Sequence, residues 1–226
     1  SGNLVSLWDL AGGHSFNEKN KTLFKTPYSQ FVRLETDFTK TGSLPPSSQL
    51  VGHLNAGIIY DYGNSQDIPF SESFYVGGAN SVRAFGVRQI GPGAFDGSAT
   101  TRQGAYLMQN GDFKFVANLE YRTKLFGNLN GAVFLDTGNV WNLKDDDIDY
   151  ESLDEDSREV YDFFKSFYED SYFKPSRLLD HLALGTGVGL RYDLGFLVIR
   201  IDWGFALHTP YDTGSGGYFS GLSFKD

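Results

Sequence analysis

Leu197-Val198-Ile199-Arg200-Ile201-Asp202-Trp203-Gly204-Phe205-Ala206-Leu207-His208 alternates between two kinds of side chain. In a strand, Leu197, Ile199, Ile201, Trp203, Phe205 and Leu207 share one face, and Val198, Arg200, Asp202, Gly204, Ala206 and His208 the other. A soluble sandwich would bury the first face in its core. A membrane barrel would turn it to lipid and send Arg200 and Asp202 into a wet lumen. One strand does not choose between them.

Working outward, the alternation recurs. Over 182–193, Leu182, Leu184, Val188, Leu190 and Tyr192 oppose Ala183, Gly185, Gly187, Gly189, Arg191 and Asp193. From Phe113, the residues Phe115, Ala117, Leu119 and Tyr121 oppose Lys114, Asn118, Glu120 and Arg122. Segment 129–138 sets Leu129, Val133 and Leu135 against Asn130, Phe134 and Asp136. Segment 50–61 sets Leu50, Leu54, Ile58 and Tyr60 against His53, Asn55 and Asp61. Segment 31–38 sets Val32, Leu34 and Phe38 against Arg33, Glu35 and Asp37, and a short strand over 3–10 makes a seventh. Long connections (11–26, 62–111, 143–180, 209–226) alternate with short ones (near 41–48, 126–128, 193–195). That is the pattern of an antiparallel up-and-down transmembrane β-barrel with short periplasmic turns and long external loops.

Composition agrees with an all-β chain: 27 Gly, 20 Phe and 13 Tyr against 7 Pro. No run approaches the ~18 apolar residues of a membrane helix. Barrel strands need only about 9–11 residues and show every second one to lipid, so a mean hydropathy of −0.30 does not exclude them. The absence of Cys removes disulfide frameworks and thiolate metal sites. A net charge of −9 argues against nucleic acid as a partner. Seven strands leave open edges, which lipid does not tolerate. The chain is therefore expected to be the C-terminal portion of a larger barrel, lacking a last strand and everything before residue 1.

Segment 70–93 carries the functional signal. Within it, Tyr75-Val76-Gly77-Gly78 and then Ser81-Val82-Arg83-Ala84-Phe85 closely resemble the GG-x-x-SVRGF signature of the BamA/TamA superfamily of outer-membrane assembly barrels. Three further family motifs follow in order: Asn118-Leu119-Glu120-Tyr121-Arg122, then Phe134-Leu135-Asp136-Thr137-Gly138, then Gly187-Val188-Gly189-Leu190-Arg191-Tyr192 leading to Arg200-Ile201-Asp202-Trp203-Gly204. The resemblance spans roughly 50–208, and the wording of Ser73–Phe85 looks nearest to a TamL-like member.

The resemblance implies a barrel of about 16 strands, with loop 62–111 folded into the lumen and upstream periplasmic repeats. It also implies that Arg83 pairs with acidic groups of the inner wall, which map here to Glu120 and Asp136. Their period-two positions put both on the polar side independently. Gly185, Gly187 and Gly189 would either make room for that loop or relieve strand curvature. The lumen wall further includes Gly138, Arg191, Arg200 and Asp202. Ala84 stands where the signature has Gly, and would be unfavourable if that position needs positive φ.

The function implied is non-enzymatic insertion of proteins into the outer membrane of a Gram-negative bacterium. Partners would be the lipid bilayer, unfolded outer-membrane protein clients, and accessory periplasmic or lipoprotein subunits. A two-partner-secretion pore shares the loop motif and is the alternative. No cofactor or metal is expected, since His14, His53, His181 and His208 lack ligand spacing. A Ser–His–Asp site using His53 and Asp61 lacks a marked nucleophile. Gly91-Pro92-Gly93 and Gly214-Ser215-Gly216-Gly217 read as turns. In the loop 143–180, Asp145, Asp146, Asp147, Asp149, Glu151, Asp154, Glu155 and Asp156 precede the helically spaced Val160, Phe163, Phe164 and Phe167. A short amphipathic helix in a solvated external loop is expected, with calcium binding as the alternative.

Overall fold

The computed structural model describes residues 22–23, 26–27, 29–62, 68–96, 109–143, 154, 158, 161, 169–213 and 216–218. The expected strand at 3–10, His14, the acidic run apart from Asp154, the helically spaced Val160, Phe163, Phe164 and Phe167, and residues Gly214, Ser215 and 219–226 lie outside them.

Among the described residues, beyond a two-residue ladder of β1 (Thr22–Leu23) with β2 (Thr26–Pro27), the strands form one six-stranded antiparallel sheet. Its strands are β3 (Phe31–Leu44), β4 (Ser48–Asp61), β5 (Phe113–Phe126), β6 (Leu129–Trp141), β7 (Ala183–Asp193) and β8 (Val198–His208). Each pairs with its sequence neighbour, so the order is β3-β4-β5-β6-β7-β8. The expected all-β up-and-down arrangement therefore holds. β3 runs six residues past Phe38, because Thr39–Leu44 continue the ladder opposite Ser48–His53. Among the described residues β3 and β8 are the sheet's two edges.

Short turns gather at one end of the sheet. Gly127 and Gly195 take φ of 52° and 84°, and Asp193 Oδ1 accepts from the Gly195 N–H at 2.7 Å. The long connections 62–112 and 142–182 leave from the other end. In the described part of the second, Arg158, Tyr161, Glu169 and Asp170 are helical and Pro175–Arg177 forms a 3-10 turn.

The two faces are inside out for a soluble protein. On the apolar face Leu34, Ile201 and Trp203 are 64%, 66% and 70% exposed, and among the described residues no second sheet covers them. On the polar face Asn55, Glu120, Asp136 and Arg191 are buried. Water would not stabilise this arrangement: exposed apolar side chains forgo about 1.5–3 kcal/mol each, and the patch far exceeds that of a monomeric soluble protein. An apolar solvent on that side reverses the balance.

Candidate functional site

Residues 68–96 lie across the polar face. Their path is set by local geometry. Gly77 and Gly78 take φ of 108° and 91°, a region that favours glycine. The Gly78 N–H donates to the Phe85 carbonyl (2.8 Å), closing a tight turn over 78–85. The Gly77 N–H donates to Ser81 Oγ (3.3 Å) within it. Ala84 is not among the positive-φ residues, so the departure from the family's Gly carries no backbone penalty here.

Two kinds of contact fasten the loop. Towards the long-loop end, Phe74, Val76, Val82 and Ile90 join Ile59, Val116, Val140 and Ala183 of the strands in a buried apolar cluster, with Phe85 packed at its edge. Gly57 leaves the space that the Phe74 ring fills.

Towards the middle of the sheet the contacts are ionic. Arg83 Nε and Nη2 donate to Asp136 Oδ2 and Oδ1, both at 2.8 Å, and its backbone N–H donates to Oδ2 at 3.1 Å. Arg83 Nη1 donates to Glu120 Oε2. The planar fork thus meets one carboxylate side-on and a second end-on, geometry an ammonium cannot reproduce. The guanidinium also lies 3.6 Å from the ring centroid of Phe134, a cation–π contact worth about 2 kcal/mol when desolvated.

The remaining wall residues complete a charge network. Glu120 also accepts from Arg122 Nε (2.5 Å) and Arg191 Nη2 (2.9 Å). Asp202 lies 3.5 Å from Arg191 Nη2 and accepts from Arg200 Nε at 3.0 Å. Arg200 Nη2 then donates to the Ala79 carbonyl at 3.0 Å, returning to the loop. Strand parity put Asn118 on the polar side but gave it no role at the loop seat. Its Nδ2 donates to Asp136 Oδ1 (2.8 Å) and to the Ser81 carbonyl (2.7 Å). A visible signal was Phe134, an aromatic standing among charges on the polar side.

The glycines divide by role. A Cβ on Gly185 would meet the Ala84 Cβ at 2.6 Å, and one on Gly204 would meet Ala84 N at 3.0 Å. Gly185 and Gly204 therefore form the floor under the loop tip, and Gly204 was missed as such. At Gly187 the space is taken by the Trp203 carbonyl of β8 and the Phe134 ring, and at Gly189 by Asp202 and Arg191. Gly138 instead permits close approach of β5, where a Cβ would meet the Phe115 carbonyl at 2.7 Å.

At the long-loop rim, Asn139 Nδ2 donates to the Gly93 carbonyl (2.7 Å) and the His181 carbonyl. The Gly93 N–H donates to Val140 O and the Ala94 N–H to Asp170 O. Phe113 stacks on Trp141 and Phe173 meets both rings edge-on, with centroids 4.9–5.6 Å apart. Burial pushes the His181 imidazole below its usual range, and the Arg177 charge adds to this. His53 and Asp61 stand eight residues apart along β4 and make no dyad. The partners of His53 are Asp37 and Asn118.

Comparison with known proteins agrees with this architecture. BamA from Haemophilus ducreyi lacking POTRA domains 1-3 superposes with a TM-score of 0.56 at 15% identity, over 83% of this chain. The chain spans 33% of that BamA, about a third of its length. CdiB from Acinetobacter baumannii gives a TM-score of 0.44 at 17% identity, over 80% of this chain and 24% of its own. The first likeness shows the fold alone; the second is too distant to carry an argument. A family model, the Omp85 superfamily domain, matches residues 12–222. With nearly its whole length matched, the chain belongs to the Omp85 superfamily.

Proposed function

We propose that the protein is an outer-membrane assembly factor that inserts client β-barrel proteins without covalent chemistry. The observation that carries this reading is the seat of Arg83 on Asp136 and Glu120, on the polar side of a sheet whose apolar side is bare. On this reading the sheet is six staves of a barrel, about 16 strands in all, completed by segments outside the described residues. The apolar face meets lipid, the polar face bounds the lumen, and the loop is a brace on the inner wall. Client strands would add to a barrel edge by main-chain hydrogen bonding, the mode in which affinity needs no particular side chains. Unfolded outer-membrane proteins are then the partners, with accessory periplasmic or lipoprotein subunits alongside. The setting is the outer membrane of a Gram-negative bacterium. The finer kinship to a TamL-like member rests on the wording of Ser73–Phe85 alone.

A two-partner-secretion pore shares the loop motif, so the experiment has to separate the two readings. The test is Arg83→Ala in a strain depleted of the wild-type protein. Normal membrane insertion of the variant with falling levels of client barrels is the expected result. Normal client levels, with loss instead of one secreted substrate, would point to the translocation reading.

A further inference from the structure

We propose that His53 is a doubly protonated positioning residue that ties edge strand β3 to the loop seat and makes that seat pH-sensitive. The argument needs only the loop seat, not the assembly role. Asn118 Nδ2 faces Asp136 Oδ1 and the Ser81 carbonyl, which only accept hydrogen bonds. The amide orientation is therefore fixed by chemistry, and its Oδ1 must be the atom that faces His53 Nδ1 at 2.7 Å. Nδ1 must then carry a proton. On the other side of the ring, Nε2 lies 3.0 Å from Asp37 Oδ2, again an acceptor. Both ring nitrogens face acceptors at once.

A neutral imidazole has one N–H and satisfies only one of these contacts. Placing the second proton on Asp37 is the other solution. Its side chain is 61% exposed, and an ordinary aspartate takes up a proton only near pH ~4. The imidazolium is the form that fits at neutral pH.

The charges around the ring permit it. From β3, Asp37 faces the ring directly, with Glu35 beyond it in the same cavity of about 570 Å³. Arg33 and Lys114 also line that cavity, and both pair with Glu35. From β5, Glu120 and Arg122 neutralise one another; the loop presents Arg83, already held by Asp136 and Glu120. Arg200 of β8 lines the same space and pairs with Asp202. Asp37 is the carboxylate without an arginine or lysine of its own among these pairs.

The consequence is a continuous line of hydrogen bonds, Asp37–His53–Asn118–Asp136–Arg83, crossing β3, β4, β5 and β6 to the loop. Because Asn118 holds the proton on Nδ1, loss of the second ring proton strips Nε2 and breaks the contact to Asp37. The loop seat then loses its tie to the edge strand and loosens.

The experiment uses the protein in lipid nanodiscs with ¹⁵N-labelled histidine, His53 being assigned by through-bond correlation to its own backbone. Two protonated ring nitrogens at pH 7 are expected; one protonated and one bare nitrogen would overturn the proposal. A second measurement follows trypsin cleavage after Arg83 and Arg88 between about pH 6 and 9, normalised to a free peptide. Wild-type cleavage should speed up with rising pH by about tenfold, the worth of one charge-assisted hydrogen bond. His53→Gln should be fast and flat throughout. Identical pH profiles for wild type and His53→Gln would also overturn it. Neither readout involves client assembly, so failure of the assembly reading is distinguishable from failure of this one.

Discussion

The Ala84 methyl occupies the space into which a side chain on Gly185 would grow, 2.6 Å from where its first carbon would stand. Loop tip and strand wall therefore share one volume. Gly185→Ala should destabilise the seated loop by about 1–3 kcal/mol, the usual cost of overpacking. Ala84→Gly alone should cost about 0.5–1 kcal/mol through backbone entropy. The double variant should recover stability relative to Gly185→Ala. Urea unfolding in lipid vesicles measures all three.

Arg83→Ala should cost about 3–5 kcal/mol, because it leaves Asp136 buried without its cation. Arg83→Lys should recover part of this, since one point charge replaces a fork. The charge-exchanged pair Arg83→Asp with Asp136→Arg should recover nothing. Asp136 also accepts from the residue 83 backbone N–H and from Asn118 Nδ2, and an arginine there would leave both donors without that acceptor. Rescue by the exchange would show that charge alone matters.

Leu135 pairs with Leu119 at the centre of the apolar face. Leu135→Arg should therefore destabilise the lipid-embedded protein by about 2–4 kcal/mol if that point lies near the bilayer midplane. Thr41→Arg, on the exposed polar side of β3, should stay within about 0.5 kcal/mol. Equal effects would remove the argument for lipid on the apolar face.

The rim contact around His181 should be acid-labile. Its imidazole is held neutral by burial in the folded state, while the unfolded chain titrates near pH ~6.5. Below that pH the unfolded state binds the extra proton, so stability falls as pH drops towards the lowered folded value. Amide exchange at Gly93 and Asn142, whose N–H groups bond across this rim, should accelerate over that interval. His181→Gln should abolish the acid limb.

The strands and their two faces were legible because period-two alternation is local, and lipid and lumen demand opposite chemistry. Leu197 to His208 needed no partner to be read. The loop was legible only through its likeness to a family signature, since nothing local in Ser81–Phe85 states which wall it meets. Asn118 and Gly204 were placed on the polar side but given no role, because their importance depends on what lies above them: the Ser81 carbonyl in one case, the Ala84 backbone in the other. Sorting Gly185, Gly187 and Gly189 also required coordinates. A missing side chain looks the same whether a loop, a phenyl ring or a carboxylate fills its place. The end of β3 was misread because Thr39–Leu44 has little apolar alternation, and its pairing with β4 is a matter of main-chain register.

The loop lines the sheet unevenly, and this grades its compliance. From β4 to β8 the polar side carries a second ply, riveted by ions at the middle and by apolar packing towards one rim. β3 is exposed along nearly its whole length, fastened to that lining mainly where Arg33 donates to the Glu72 carbonyl. A load applied to the wall bends the bare margin first and leaves the lined panel flat, so shape change is channelled to the stave beside the edge.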